Sequence, residues 1–201
     1  MALDSKREAS DKYIEMVARP FSSLDPNLLS ALSVVFAGAF AAAYMISGDM
    51  LYLAPVFVMI SAFFDAIDGK VARMRNMASK RGDLVDHFLD RVSDVLLSAG
   101  IGFSVFSHPA YAFLGLEGIL LTSYMGTQSQ ALGVGRDYSG IVGRADRLLL
   151  IFIFSILQIV IPFSYTIYGV LLTPSTVILL WFFIAGNFNA AQRFIRAYGK
   201  L

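Results

Sequence analysis

Hydrophobic positions in this 201-residue chain come in long blocks, not in the short alternations of a soluble domain. Six apolar runs follow one another, near residues 28–47, 51–73, 83–106, 110–132, 147–170 and 174–196. About twenty apolar residues in a helix cross the hydrocarbon core of a bilayer, so the pattern predicts six transmembrane helices. The breaks at Ser47-Gly48-Asp49, His108-Pro109, residues 133–143 and Pro174-Ser175 are turn-forming sequence. Ahead of the runs, Lys6, Arg7, Lys12 and Arg19 interleave with Asp4, Glu8, Asp11 and Glu15, while Tyr13, Met16 and Val17 recur at helical spacing. That reads as an amphipathic helix lying on the membrane surface and ending at Pro20. A solvated tail is the plainer reading of the same charges. The expected organisation is a juxtamembrane segment over residues 1–22 and one all-α integral-membrane domain over residues 23–201.

Composition sharpens this picture. An apolar share of 57% and a mean hydropathy of +0.65 exclude an ordinary soluble domain. There is no cysteine, which rules out disulfides and thiolate metal sites. The first twenty residues have no apolar core, so no signal peptide is expected and the first span would serve as its own insertion signal. The net charge of +1 hides an uneven distribution. The loops after the first, third and fifth runs contain no Lys or Arg. The amino-terminal segment, residues 70–81, residues 136–147 and the carboxyl-terminal end hold every basic residue except Arg91. Positive charge marks the cytoplasmic side. A multi-pass cell-membrane protein is expected, with both termini and residues 70–81 in the cytoplasm. Nucleic acid is not expected as a partner.

Candidate chemistry is concentrated between Asp65 and Asp90. Asp65 and Asp68 stand three apart at the end of the second run, and Asp86 and Asp90 stand four apart at the start of the third. On helices each pair shares a face. A short loop joins the runs, so the helices are antiparallel neighbours and the four carboxylates can meet. Ionisable groups within membrane spans are costly and default to functional candidates. Two divalent cations would cancel their repulsion. Mg²⁺, Mn²⁺ and Ca²⁺ suit all-oxygen ligands, whereas zinc is disfavoured without Cys or paired His. Gly69 and Gly82 allow a bulky phosphate or nucleotide near the backbone. Lys70, Arg73, Arg75, Lys80 and Arg81 can hold anionic oxygens. Together these features point to a phosphate-bearing substrate and displacement at phosphorus. The plainer alternative is that the acids only pair with neighbouring arginines. His87 reads as structural, and Asp83 and Asp94 as supports that pair with Arg91 or nearby bases.

In order, these residues run Asp65-x-x-Asp68-Gly69-x-x-Ala72-Arg73, eight residues, then Gly82-x-x-x-Asp86-x-x-x-Asp90. This resembles the signature of the CDP-alcohol phosphatidyltransferases at all its positions. The resemblance implies transfer of a lipid phosphate from a CDP-linked lipid to an alcohol, with release of CMP, in phospholipid synthesis. It implies that Asp65, Asp68 and Asp86 bind two Mg²⁺ ions, with Mn²⁺ an alternative. Asp90 would touch the second metal and act as the base on the acceptor hydroxyl. It implies that Gly69, Arg73, Ser79 and Gly82 line the cytidine diphosphate site. Pro26-Asn27-x-Leu29-Ser30 resembles another family element, which would bring Asn27 and Ser30 to the same nucleotide. On their own, Asn27 and Ser30 read as a helix cap. The family is usually dimeric, so a homodimer is expected.

The acceptor is read from the remaining cations. Gly143-Arg144-Ala145-Asp146-Arg147 and Gln192-Arg193 resemble the branch of phosphatidylinositol phosphate and archaetidylinositol phosphate synthases. In that branch Arg144, Arg147 and Arg193 would grip the phosphate of the acceptor, 1D-myo-inositol 3-phosphate. Arg136 and Arg144 also read as topological anchors at the membrane surface. One departure keeps glycerol phosphate or another alcohol open. Where the branch carries a Lys- or Arg-rich segment late in the fourth span, this chain has Gly126-Thr127-Gln128-Ser129-Gln130. Two rivals come from other classes. A membrane cation transporter would want polar groups at the midplanes, which are mainly Leu, Ile, Phe, Ala and Val. A lipid-binding scaffold would have no use for Asp90.

Overall fold

The computed structural model describes residues 14–135, 140, 143–167 and 169–201. Tyr13, the charged residues before it and Arg136 lie outside the described residues. Six long helices carry the described fold: α1 Pro26–Ile46, α2 Ala54–Met74, α3 Lys80–Gly102, α4 Pro109–Ala131, α5 Arg144–Val160 and α6 Pro174–Tyr198. Three stretches, Pro26–Ile46, Gly48–Met74 and Pro174–Tyr198, are long and apolar enough to cross a membrane. The other helices meet other demands. α3 carries a row of acids and bases, the end of α4 turns to Ser, Thr and Gln, and α5 has 17 residues.

Helix starts follow the local sequence. Asp25, His108 and Thr173 cap α1, α4 and α6, each followed by proline in the first turn, where its missing N–H is no loss. The cap of α1 is therefore Asp25 and not Asn27 or Ser30. Pro26 fills the first helical position, and the Asp25 carboxylate accepts the Asn27 N–H at 2.8 Å. Ser79 caps α3 by accepting the Gly82 N–H at 3.1 Å.

The fifth run, expected to continue to residue 170, ends as a helix at Val160. Pro162 disfavours the helical region for the residue before it, and Ile161 sits at φ −130°, ψ 69°. A hairpin follows, in which β1 Tyr165–Ile167 pairs antiparallel with β2 Val170–Leu172. Gly169, at φ +81°, occupies the second position of its two-residue turn.

α1 packs on both α2 and α3, α4 lies along α6, and α5 closes against α2 and α6. Phe40, Tyr44, Leu97, Ile178 and Phe182 are buried at the centre. The α4–α6 contact depends on glycine. A Cβ added to Gly186 would stand 2.5 Å from the Gly118 carbonyl carbon. Small residues permit such approach between helices in lipid. Thr122 donates across this seam to the Gly186 carbonyl at 2.7 Å, and Asn187 donates to Glu117 at 2.7 Å. Outward faces carry large apolar side chains such as Val105 and Phe113, each more than 70% exposed. That is a liability in water and the expected surface in lipid.

Before α1, residues 14–18 are helical and lead into a tight turn, Arg19–Phe21. Ala18 is buried with Leu29, Ile67 and Val71, so this end of the segment packs on α1 and α2. Glu15 pairs with Lys70 at 3.3 Å, and Arg75 donates to the Leu24 carbonyl at 2.8 Å.

Candidate active site

The end of α2 and the start of α3 meet across a short connection, which brings their acids to one place. Oxygens of Asp65, Asp68 and Asp86 all lie within 4.8 Å of one another. Atoms of Asp86, His87 and Asp90 form a second such group. Asp86 belongs to both. His87, expected to be structural, thus stands within ligand reach of two of the acids, and its Nε2 lies 3.3 Å from Asp83. At an effective dielectric of about 20, two carboxylate charges 4.8 Å apart repel by roughly 3 kcal/mol. Several carboxylates so close need cations.

Part of that charge comes from the protein. Arg144, the first residue of α5, directs its Nε at both Asp65 oxygens at 2.9 Å and its Nη2 at Asp65 Oδ1 at 2.7 Å. The same Nε lies 3.1 Å from Asp90 Oδ1, and Nη1 donates to the Asp90 carbonyl at 3.0 Å. One turn along, Arg147 is buried and meets Asp94 at 3.1 Å. Arg91 reaches the same Asp94 at 3.2 Å and Asp90 at 3.7 Å. Asp94 therefore gathers arginines from α3 and α5. The sequence reading allowed Asp94 a supporting place beside Arg91. Arg144 and Arg147 were expected at the acceptor, and their pairing with Asp65, Asp90 and Asp94 was not foreseen; its signal was their three-residue spacing opposite a second acid four residues after Asp90. Arg193 lies on α6, buried, and donates to the Thr122 carbonyl of α4 at 2.8 Å.

The other flank of the cluster is open. A cavity of about 280 Å³ has Asn27, Ser30, Gly69, Arg73, Ser79 and Gly82 in its lining, with Asp68 and Asp86 on its wall. Ser30 donates to Asp68 Oδ2 at 2.6 Å, and the Gly69 N–H donates to Asp68 Oδ1. A Cβ added at Gly69 or Gly82 would meet its nearest neighbour at 3.6 or 3.5 Å, an ordinary contact. The protein's own packing does not demand glycine at either position. A neighbouring face of α3 borders a second cavity of about 320 Å³, lined by His87, Arg91, Ser123 and Tyr124 among others.

The donor set fits a hard divalent cation. It consists chiefly of carboxylate oxygens from two helices, close enough to share an ion, with the His87 ring beside them and no sulfur.

This fold and site define a membrane enzyme built on an acidic signature, and the sequence profile of one family matches residues 24–185. The chain belongs to that family, the CDP-alcohol phosphatidyltransferases. It is similar to the archaetidylinositol phosphate synthases of Pyrococcus horikoshii (31% identical, over 73% of this chain and 78% of the relative) and Aeropyrum pernix (31%, over 82% and 85%). Its fold is that of the Mycobacterium tuberculosis phosphatidylinositol phosphate synthase. That structure with CDP-DAG bound superimposes with a TM-score of 0.74 at 19% identity, covering 93% of this chain and 94% of the other. The same enzyme in complex with manganese and citrate gives 0.73 at 20% identity, over 92% and 88%. The chain is thus a transferase of phospholipid synthesis from a metal-dependent family.

Proposed function

We propose that this enzyme transfers a phosphatidyl-type group from a CDP-linked lipid to an inositol phosphate, 1D-myo-inositol 3-phosphate, and releases CMP. The observation that carries this reading is the meeting of Asp65, Asp68, Asp86 and Asp90 beside a cavity lined by every residue expected at the nucleotide. The acceptor assignment rests on Arg144, Arg147 and Arg193 and on the inositol phosphate synthases among the relatives. A second reading, glycerol phosphate, is favoured by the stretch Gly126–Gln130, which holds no cation.

Asp65, Asp68 and Asp86 would hold divalent metal, with Asp90 touching the second of two ions, Mg²⁺ or Mn²⁺. Bound there, the metal supplies charge neutralisation for the diphosphate and the departing CMP. Asn27, Ser30, Gly69, Arg73, Ser79 and Gly82 hold the cytidine diphosphate. The two glycines leave room for it, which accounts for residues that the protein's own packing does not require. Asp90 takes the proton of the acceptor hydroxyl. The acceptor oxygen then bonds to the lipid-side phosphorus, and the bond from that phosphorus to the bridging oxygen breaks. CMP leaves with the electron pair. Arg147 and Arg193 hold the acceptor phosphate, and the lipid tails stay in the bilayer.

The deciding assay measures CMP release by protein in lipid with Mg²⁺ and a CDP-lipid. Inositol phosphate, glycerol phosphate, inositol, glycerol and serine are offered separately as acceptors. Release with inositol phosphate is expected. Release with an unphosphorylated alcohol alone would overturn the acceptor assignment.

The membrane arrangement belongs to the same proposal. All six helices span a cell membrane, both termini and the site face the cytoplasm, and the working unit is a homodimer. The chain has no cysteine, so single cysteines can be introduced without background. A cysteine at Ser79 is expected to label only from the cytoplasmic side, and one at Tyr165 only from outside. The reverse pattern would invert the topology.

A further inference from the structure

We propose that Arg144 is a displaceable counter-ion of the acidic cluster. Its guanidinium holds Asp65 and Asp90 until a divalent cation takes those oxygens, and it then turns to the acceptor's anionic group. The inference rests on the metal reading given above and adds a competition that this reading does not contain.

Three observations carry it. First, the oxygens are the same. Arg144 covers both oxygens of Asp65 at 2.9 Å and Asp90 Oδ1 at 3.1 Å. Asp65 and Asp90 are ligands in the proposed site. A dication at ligand distance from Asp65 would lie within a few ångströms of the guanidinium nitrogens, and two cations so placed repel. Second, Arg144 can leave without moving the scaffold. It is the first residue of α5, directly after Gly143, and the helix start is secured separately by Asp146, which accepts the Gly143 N–H at 2.9 Å. Its side chain is 17% exposed, so the guanidinium has a way out. Third, a place to go lies beside it. Its Nη1 is already 3.6 Å from Asp94, where Arg147 and Arg91 gather, forming a cationic group next to the cluster. Arg147 differs in that it pairs with Asp94, which lies outside both ligand groups.

Mn²⁺ binding to the full-length protein in detergent, without CDP-lipid, tests this by titration. Wild type, Arg144→Gln and Arg147→Gln are compared. Arg144→Gln is expected to bind Mn²⁺ at least tenfold tighter than wild type at one site, and Arg147→Gln to change much less. Equal affinity in wild type and Arg144→Gln, or weaker binding in Arg144→Gln, would overturn the competition and make Arg144 a support for the ligands. Equal tightening in both variants would also overturn it, since loss of any positive charge would then suffice. Absence of Mn²⁺ binding in all three would instead overturn the metal reading itself. A second measurement needs no variant. Phenylglyoxal modification of Arg144 in wild type, read by peptide mass spectrometry, is expected to quicken when Mn²⁺ is added. Unchanged or slower modification would contradict release.

Discussion

The two flanks of the acidic cluster are built differently. On the flank proposed for the nucleotide, Asp68 is fixed by Ser30 and by the Gly69 N–H, and its neighbours open onto a cavity of about 280 Å³. The arginines proposed for the acceptor are engaged, two of them on the cluster's other flank and Arg193 on α6. Arg144 lies on Asp65 and Asp90, Arg147 on Asp94, and Arg193 on the Thr122 carbonyl. Under the proposed roles, the first flank is formed in advance, while the second would exchange internal partners for the substrate's. Preorganised groups lose little on binding, whereas groups that must break buried ion pairs bind only in return for comparable contacts. This favours loading of the CDP-lipid first, with the acceptor's phosphate drawing arginines from their internal partners.

The predictions follow that contrast from large effect to small. Asp86 serves both ligand groups, so Asp86→Asn should break both flanks together. CMP release should fall by roughly 10³-fold or more, with loss of Mn²⁺ binding in titration. Arg193→Ala should act on the acceptor flank alone. Loss of a charge-assisted contact, about 1.5–3 kcal/mol, should raise the KM for the phosphorylated acceptor by roughly 10- to 100-fold. CDP-lipid affinity, measured by titration, should hold. Ser30→Ala should act on the other flank. Removing the hydrogen bond to Asp68 should weaken CDP-lipid binding by about tenfold and leave the acceptor KM unchanged. Gly186→Ala should touch neither flank. Overpacking against Gly118 should lower stability by about 1–3 kcal/mol, read as a drop in Tm, while the folded fraction keeps its KM values.

Much of the nucleotide flank was legible in the sequence, because its information is local. The spacings of Asp65 and Asp68 and of Asp86 and Asp90 set helix faces, and one short loop makes those faces meet. Arg144, Arg147 and Arg193 were singled out too, but the ion pairs of the two α5 arginines were not legible. Arg144 is 79 residues from Asp65, and no periodicity reveals that such residues pair. His87 was read as structural, and its ring pairs with Asp83 at 3.3 Å while also lying within reach of Asp86 and Asp90, a proximity its one-residue offset from Asp86 did not reveal. The fifth helix was drawn too long because hydrophobicity continues through Pro162 into the β-hairpin, and apolar runs alone do not separate helix from strand. Pro162 and Gly169 held the correction. Glu117, an acid within α4, drew no reading from the sequence, and the structure places it against Asn187 on α6.

The central claim is chemical: Asp90 is the base in a metal-dependent transfer from a CDP-lipid. CMP release by wild type and Asp90→Asn, each saturated with CDP-lipid, Mg²⁺ and inositol phosphate, tests it most directly. Loss of a general base should slow release by roughly 10²- to 10⁴-fold, with CDP-lipid affinity unchanged within a few-fold. Release at the wild-type rate in Asp90→Asn would contradict the account.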